Sequence, residues 1–359
     1  MTSRPDAAAG PAASAVAGEQ VRNHRIVVSR RGEPDVMLVV QEDVPEPQHG
    51  EARVKVAAAG VSAFDLMIRS IWFPGNPSPP FTPGEDVVGV VDELGDGVST
   101  LEPGQMVAGW TFGDGGGYSE YVCRPASQLV PVPTGLDPAA AVTLVVNYLT
   151  AHLYLHQTGH VTSGERILVH GAAGGLGSAL LQLGSLADLE MYGTASEHNH
   201  DLVRALGATP IDYRNEDFVE RIRALTGDGV DAVFDTVSGP RQLWRSYRTL
   251  RAGGRLVPIG SVATSSGGMK VIPLSLLTIG LLRLVPDRKR VPLSPTMMRY
   301  PHRHNTWYRE TLAGLLAAAA DGELEPVVAE RVPLTEAARA HELLGQGGHA
   351  GKVVLIAHP

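Results

Sequence analysis

The residues best suited to chemistry lie in Arg166-Ile-Leu-Val-His-Gly-Ala-Ala-Gly-Gly-Leu-Gly177, where glycines at 171, 174 and 177 follow an apolar run. That run predicts a strand. Leu176, Leu180, Leu183 and Ala187 recur at nearly helical spacing and predict the buried stripe of a helix that starts beside the last glycines. A strand, a glycine turn and a helix N-terminus together make an anion site. Backbone N–H groups are left unpaired there, the helix dipole is positive, and the missing β-carbons let a pyrophosphate come close. The spacing is G-x-x-G-x-x-G rather than G-x-G-x-x-G, so the motif alone also fits a glycine turn with no ligand, and its surroundings must decide.

A second chemical position follows 22 residues past Gly174, where the strand expected over Met191–Ser196 ends in a hydroxyl. A carboxylate there would accept hydrogen bonds from ribose hydroxyls and repel a 2′-phosphate. Ser196, with His198, His200, Arg204 and Tyr213 close in sequence, is instead suited to accept one. Glu197, one residue on, would reverse that preference.

Metal chemistry has little to draw on. Cys123 is the one cysteine, which excludes an internal disulfide and a Cys-rich zinc site; it reads as a small strand residue rather than a reactive thiol. His152, His156 and His160 step by four, a spacing that suits metal ligands. With no carboxylate nearby in sequence they read as an exposed helix face.

The elements that must position these groups alternate in type. Beyond the glycine turn come strands at Met191–Ser196, Thr209–Tyr213, Asp231–Asp235 and Arg255–Gly260. Helices separate them: one around Leu202–Leu206 that stops at Gly207, one from Phe218 to Gly227, and one over Gln242–Leu250. This rhythm predicts right-handed crossovers and a doubly wound parallel sheet, the Rossmann dinucleotide fold. Before it, Arg25–Ser29, Met37–Val40, Ala52–Ala58, a strand–turn–strand unit over Gly84–Gly95, Leu101–Gly109 and Gly117–Cys123 predict a compact β-rich domain, and Gly60–Arg69 a turn entering a short helix. A long Ala/Val/Leu helical run begins near Asp137. After Gly260 come a Gly/Ser loop at Thr264–Gly268, an apolar helix over Val271–Val285, an irregular stretch Pro292–Tyr300 and a helix Trp307–Ala320. A strand, a helix Thr335–Leu344 capped through Thr and Glu, and a last strand Lys352–Ile356 close the chain and are assigned to the β-rich domain.

Composition narrows the partners. Apolar residues at 43% and charged ones at 19% are ordinary for a soluble globular chain. A net charge of −8 leaves no basic face for nucleic acid, and the arginines at 288, 290, 299 and 303 read as a solvated rim. Residues 1–22 read as a disordered tail rather than a secretory signal. Val271–Val285 is interrupted by Arg283 and falls short of the roughly 20 residues needed to span a bilayer. Peripheral membrane contact stays open for it, as do a pocket wall and a dimer interface. The lone cysteine is compatible with a reducing cytosol, and the cytoplasm is the expected compartment.

With these pieces placed, the chain resembles the medium-chain dehydrogenase/reductase superfamily on its zinc-independent quinone oxidoreductase branch. The carriers are Gly60–Asp65, Thr82-Pro-Gly84, Gly89-Val-Val91, Gly117-Tyr-Ser-Glu-Tyr121, Asn147-Tyr-Leu-Thr-Ala151, His170–Gly177, Leu206-Gly-Ala208, Asp212-Tyr213, Gly253-Gly254 and Gly351-Lys352-Val353-Val354. Val145–His152 and the apolar insert are similar to the vesicle amine transport protein-like subgroup. The resemblance implies a Rossmann domain over 148–299 (insert 265–299) and a GroES-like β domain over 23–147 and 300–359. It also implies a homodimer, and a cofactor in the cleft, usually NADPH rather than NADH.

The expected NADPH groove takes Gly171, Ala173, Gly174, Gly175, Leu176 and Gly177 at the turn, and Ser196, His200 and Tyr213 at the adenosine end. Val237, Ile259, Gly260, Ser261 and Lys352 complete it. Ser62, Asp65, Tyr148 and Thr150 are the candidates at the nicotinamide end. Relatives carry asparagine where this chain has Ser62, which shortens the reach of any hydrogen bond from that position. Asp65 reads equally as a helix cap, and Tyr148 reads also as a packing residue. Without a metal to polarise a simple ketone, the expected acceptor is a hydrophobic conjugated carbonyl, a quinone or an enone. Two other readings stay open: a tailoring reductase for one specialised substrate, and a lipid- or membrane-interacting protein with a vestigial nucleotide site.

Overall fold

The structure, a computed structural model, describes residues 21–72, 75–259, 271–292 and 300–358, side chains at 272, 301 and 302 excepted. Gly260, Ser261, the Thr264–Gly268 loop and residues 293–299 of the irregular stretch lie outside the described residues.

The N-terminal half supplies β1 (Arg22–Val28), β2 (Met37–Asp43), β3 (Glu51–Gly60), α1 (Ala63–Ser70), β4 (Asp86–Leu94), β5 (Met106–Trp110), β6 (Tyr121–Pro125) and β7 (Leu129–Pro131). A helix, α2, runs over Pro138–Thr158. Then follow β8 (Arg166–His170), α3 (Gly175–Leu186), β9 (Glu190–Ala195), α4 (His200–Ala205), β10 (Ala208–Asp212), α5 (Phe218–Thr226), β11 (Val230–Asp235), α6 (Pro240–Thr249) and β12 (Leu250–Pro258). The remainder is α7 (Val271–Arg283), α8 (Asn305–Ala320), β13 (Val328–Pro333), α9 (Ala337–Gln346) and β14 (Lys352–Ile356), with a single helical turn at Tyr300–Arg303 before α8.

Strands β8 to β12 form an all-parallel sheet in the order β10-β9-β8-β11-β12. Successive side chains of a strand leave on opposite faces. Ile167 and Val169 of β8 accordingly pack with α2, α3 and α8, while Leu168 packs with α5, α6 and α7. Chain order reverses on either side of β8, and that switch point opens a crevice beyond the strand ends, over the glycine turn.

The second sheet runs β13-β14-β3-β4-β5-β7, with β6 on β3, around its own core of Val54, Val56, Val87, Val107, Val122 and Val353. The last two strands thus complete the N-terminal sheet, β14 pairing antiparallel with β3.

Several expectations change. Gly84–Gly95 is one continuous strand rather than strand–turn–strand. Gly89 inside it makes no turn; a β-carbon there would strike the Lys55 carbonyl, so glycine lets β3 come close. The strand expected from Leu101 starts at Met106, and that from Gly117 at Tyr121. Helix α9 starts at Ala337 without a side-chain cap, because Leu334–Glu336 forms a 3₁₀ turn first. α3 is buried continuously from Gly177 to Gly184 rather than along a stripe, wedged between sheet, α2 and the C-terminal segment.

Leu144–Tyr148 and Leu153–Thr158 of α2 are π-helical, which rotates the histidine face inward. His152 and His156 are half-buried with ring centroids 4.6 Å apart, and His160 lies beyond the helix at φ 47°. Burial, and secondarily His156, pulls the His152 imidazole down to about 4. Cys123 sits in β6, its thiol pushed up to about 11 by burial.

Candidate active site

The glycine turn has a specific geometry. Gly171 takes φ +66°, a left-handed conformation that glycine adopts freely. Gly174 caps α3 in extended conformation. A β-carbon on Gly177 would collide with the Gly171 carbonyl and Ala172, so glycine is what allows the helix to start this close to the strand. From the other sheet, Gly351 donates its N–H to the Ala173 carbonyl at 2.8 Å, tying the turn to the approach to β14.

Behind the turn, His170 is fully buried and burial holds its imidazole below the ordinary range. Its tautomer follows from its partners. The Ser246 hydroxyl donates to Asp235 Oδ2 (2.8 Å), so at 3.0 Å from His170 Nε2 it can only accept. Nε2 therefore carries the hydrogen, and Nδ1 accepts from the Thr194 hydroxyl at 3.0 Å. Thr194 Oγ1 in turn accepts the Gly171 N–H at 3.3 Å. A neutral histidine thus braces the turn.

Between the two sheets lies a cavity of about 560 Å³. It gathers Ser62, Thr150, Gly171, Ala173, Gly174, Gly175, Leu176, Gly177, Ser196, Tyr213, Ile259 and Lys352 from the expected set. Among the described residues, four expected ones are not part of its lining. Asp65 is buried as the partner of Ser62 in a capping box: its Oδ2 accepts from Ser62 N (2.9 Å) and Ser62 Oγ (2.6 Å), its Oδ1 from Gly84 N (3.0 Å), while Ser62 Oγ accepts the Asp65 N–H. This gives Asp65 the cap geometry, and it commits the Ser62 hydroxyl hydrogen. Burial pushes the Asp65 carboxyl up to about 6 despite these bonds, and the like charge of Asp86 adds to the rise.

Tyr148 is fully buried in the core with a hydroxyl that has no partner, because its π-helical turn carries it inward. His200 is half-buried with an unpaired Nε2, at the start of α4. Val237 is 44% exposed, following an Asp235 side chain that accepts its N–H.

At the end of β9 the cavity meets Ser196, Asn199, Tyr213 and His349, whereas Glu197 is solvent-exposed. His198 and Asn199 bond the Gly348 carbonyl, drawing the 347–351 loop across the opening. Arg204 pairs with Asp201 on the surface, and Arg214 covers the Tyr213 ring.

Sequence reasoning missed Asn147, Glu85, Trp110, Tyr154 and Thr236, all on the cavity wall. Asn147 sits in a π-helical turn, and a β-carbon on Gly175 would strike its Nδ2. Glu85 is 3% exposed: Oε2 accepts from Gly113 N (2.9 Å) and Trp110 Nε1 (3.4 Å), and Oε1 has no partner. Burial, then the Asp65 charge, pushes this carboxyl up to about 8. The adjacent acidic pair Glu85-Asp86 was the available signal. Among the described residues no three His, Cys, Asp or Glu side chains group to hold a metal. None of the described side chains of the apolar helix α7 lines the cavity; the helix rests on α6 through Leu282 and leaves Leu274, Leu276, Leu277 and Leu281 exposed.

A parallel switch-point sheet, a GroES-like sheet antiparallel except between β13 and β14, and a cleft between them define a medium-chain dehydrogenase/reductase. The alcohol dehydrogenase GroES-like domain family matches residues 48–134 and the zinc-binding dehydrogenase family residues 206–355. Rat quinone oxidoreductase is 31% identical over 335 residues, 90% of this chain and 95% of its own length. A zebrafish synaptic vesicle membrane protein VAT-1 homolog is 28% identical over 336 residues, 91% of this chain and 68% of that one. The crystal structure of Escherichia coli quinone oxidoreductase complexed with NADPH superposes with a TM-score of 0.81 at 28% identity, covering 93% of this chain and 99% of that chain. The chain belongs to the zinc-independent quinone oxidoreductase family.

Proposed function

We propose that this chain is an NADPH-dependent reductase of hydrophobic quinones or α,β-unsaturated carbonyls, working in the cytoplasm as a homodimer. The observation that carries the reading is one continuous cavity with an anion-binding glycine turn, a hydroxyl instead of a carboxylate at the end of β9, and an apolar wall of Val61, Phe64, Trp110, Val146 and Tyr154. Bound NADPH supplies two electrons as hydride. The turn N–H groups and the α3 terminus hold the pyrophosphate. Ser196, Asn199 and Tyr213 would receive the adenosine ribose with its 2′-phosphate, and Ile259, Asn147 and Thr150, on the same cavity wall, would hold the nicotinamide end. The complex reported for the E. coli relative supports the same cofactor here. The apolar wall excludes water and favours a conjugated acceptor, which needs little polarisation to accept hydride. The proposed division of labour is a catalytic unit of 23–147 with 300–359 and a nucleotide unit of 148–299.

The test is oxidation of NADPH followed by its absorbance across a panel of quinones and enones. Turnover on at least one conjugated acceptor, and none on saturated ketones, is expected.

A second reading is favoured by one feature. Leu274, Leu276, Leu277 and Leu281 of α7, with Leu284, face outward beside exposed Arg288 and Arg290. A lipid-interacting protein with a vestigial nucleotide site would float with anionic liposomes and reduce no acceptor.

A further inference from the structure

We infer that Glu85 is a catalytic residue in this cleft: a neutral carboxylic acid whose Oε1 hydrogen is delivered to the substrate oxygen that becomes anionic on reduction. The inference rests on the reductase reading above and goes beyond it by naming the proton donor.

The geometry is that of an acid with its hydrogen unspent. Glu85 lies on the β-sheet wall of the cavity with Val61, Ser62, Phe64 and Trp110. Oε2 accepts two N–H bonds, from Gly113 and from the Trp110 indole, as the carbonyl oxygen of a carboxylic acid does. Oε1 is buried and receives nothing. An ionised carboxylate would leave that oxygen charged and unsolvated, which is the costly state; a hydroxyl there costs far less and needs only an acceptor.

The charges around it push the same way. Asp65 on α1 and its own neighbour Asp86 face it from the acidic side, while Lys352 of β14 is spent on Asp86 at 2.7 Å. Arg124 on β6 is the nearby guanidinium; it bonds the Thr111 and Gly115 carbonyls and ion-pairs with Asp114. Tyr118 is fully buried, and the Tyr308 hydroxyl of α8 donates to the Gln128 carbonyl and accepts from Trp110 N. Two other donors on the wall are already committed. The Ser62 hydroxyl hydrogen is given to Asp65, and the Lys352 ammonium is held by Asp86.

The step balances. At the β-carbon of the enone a C–H bond forms with the hydride that the reduced nicotinamide would give up as its own C–H bond breaks; the Cα=Cβ π pair becomes the double bond from Cα to the carbonyl carbon, and the carbonyl π pair moves onto oxygen. The Oε1–H bond of Glu85 breaks and an O–H bond forms on that oxygen. Glu85, now a carboxylate, takes a proton from water entering through the cavity mouth.

The test compares wild type, Glu85→Gln and Glu85→Asp. Glutamine keeps the size of the side chain and an oxygen for Gly113 and Trp110, so the fold is kept. Infrared spectra of the protein without nucleotide are expected to show a protonated-carboxyl band at neutral pH that disappears near pH 8 and is missing in Glu85→Gln. NADPH affinity is expected to be unchanged in Glu85→Gln. Enone turnover should fall roughly 10²-fold or more. Its pH profile should lose the decline above pH 8, and Glu85→Asp should recover part of the rate. Wild-type turnover with an unchanged rate and profile in Glu85→Gln overturns the assignment and leaves the reductase standing. Failure of wild type to bind NADPH at all overturns both.

Discussion

Lys352 Nζ lies 2.7 Å from Asp86 Oδ2, with the two side chains 1% and 0% exposed, so the last strand is pinned to β4 by an ion pair fully removed from water. Asp86 Oδ1 also accepts the Gly60 N–H at 3.0 Å. A β-carbon on Gly60 would collide with both partners, which explains glycine at the end of β3. The pair holds the 347–352 segment, and through Gly351 the glycine turn, at a fixed distance from the second sheet.

Breaking one side of this pair strands a buried charge. Lys352→Met or Asp86→Leu is expected to cost about 3–5 kcal/mol in denaturant unfolding. The double variant Lys352→Met/Asp86→Leu is expected to recover a large part of that loss. Losses that simply add would show that the two side chains are not coupled.

Tyr148 gives the opposite expectation. Its hydroxyl is buried without a partner, so Tyr148→Phe removes an unsatisfied polar group. The variant should be as stable as wild type or more so, by about 1 kcal/mol, with turnover unchanged. A large drop in kcat would return Tyr148 to the reacting groups.

Ser196→Asp tests the nucleotide preference. A carboxylate at the end of β9 would repel a 2′-phosphate and bond free ribose hydroxyls. Parallel titrations with NADPH and NADH should show NADPH weakened roughly tenfold or more, with NADH improved. Equal weakening of both would place Ser196 away from the ribose.

Glu85 and Asp65 also govern stability against pH. Both carboxyls are raised in the folded chain, to about 8 and about 6, so the folded state binds more protons than the unfolded one above the ordinary carboxylate range. Stability from these groups is therefore full at low pH and falls as pH rises toward 8, by up to about 1.4 kcal/mol per pH unit for each proton involved. Glu85→Gln should flatten the decline between pH 6 and 8, leaving the variant more stable than wild type at pH 8. Urea midpoints across that range decide it; parallel curves for the two proteins would contradict the assignment.

The parts of this architecture written in local patterns were legible. The strand–glycine–helix unit at 166–186 and the alternation that follows it depend on residues close in sequence, and the observed elements fall within a few residues of the expected ones. Gly84–Gly95 misled because its internal Gly89 serves a neighbouring strand, Lys55, far away in sequence. The cavity wall was less legible for the same reason. Glu85 matters through Gly113, Trp110 and Asp65, contacts that no periodicity announces. Asn147 reaches the cavity through a π-helical turn, whose shift of face is invisible to a 3.6-residue pattern and also turns Tyr148 into the core. Asp65 was placed in the right neighbourhood, but which way it turned depended on Gly84, 19 residues on.

The central claim is that a reduced pyridine dinucleotide sits across the glycine turn. Isothermal titration calorimetry of the purified chain with NADPH addresses it directly. The account predicts saturable heat at one site per chain, greatly diminished in Gly175→Val, whose side chain would press on Asn147 and Lys352. No heat with either NADPH or NADH, from protein shown to be folded, would contradict it.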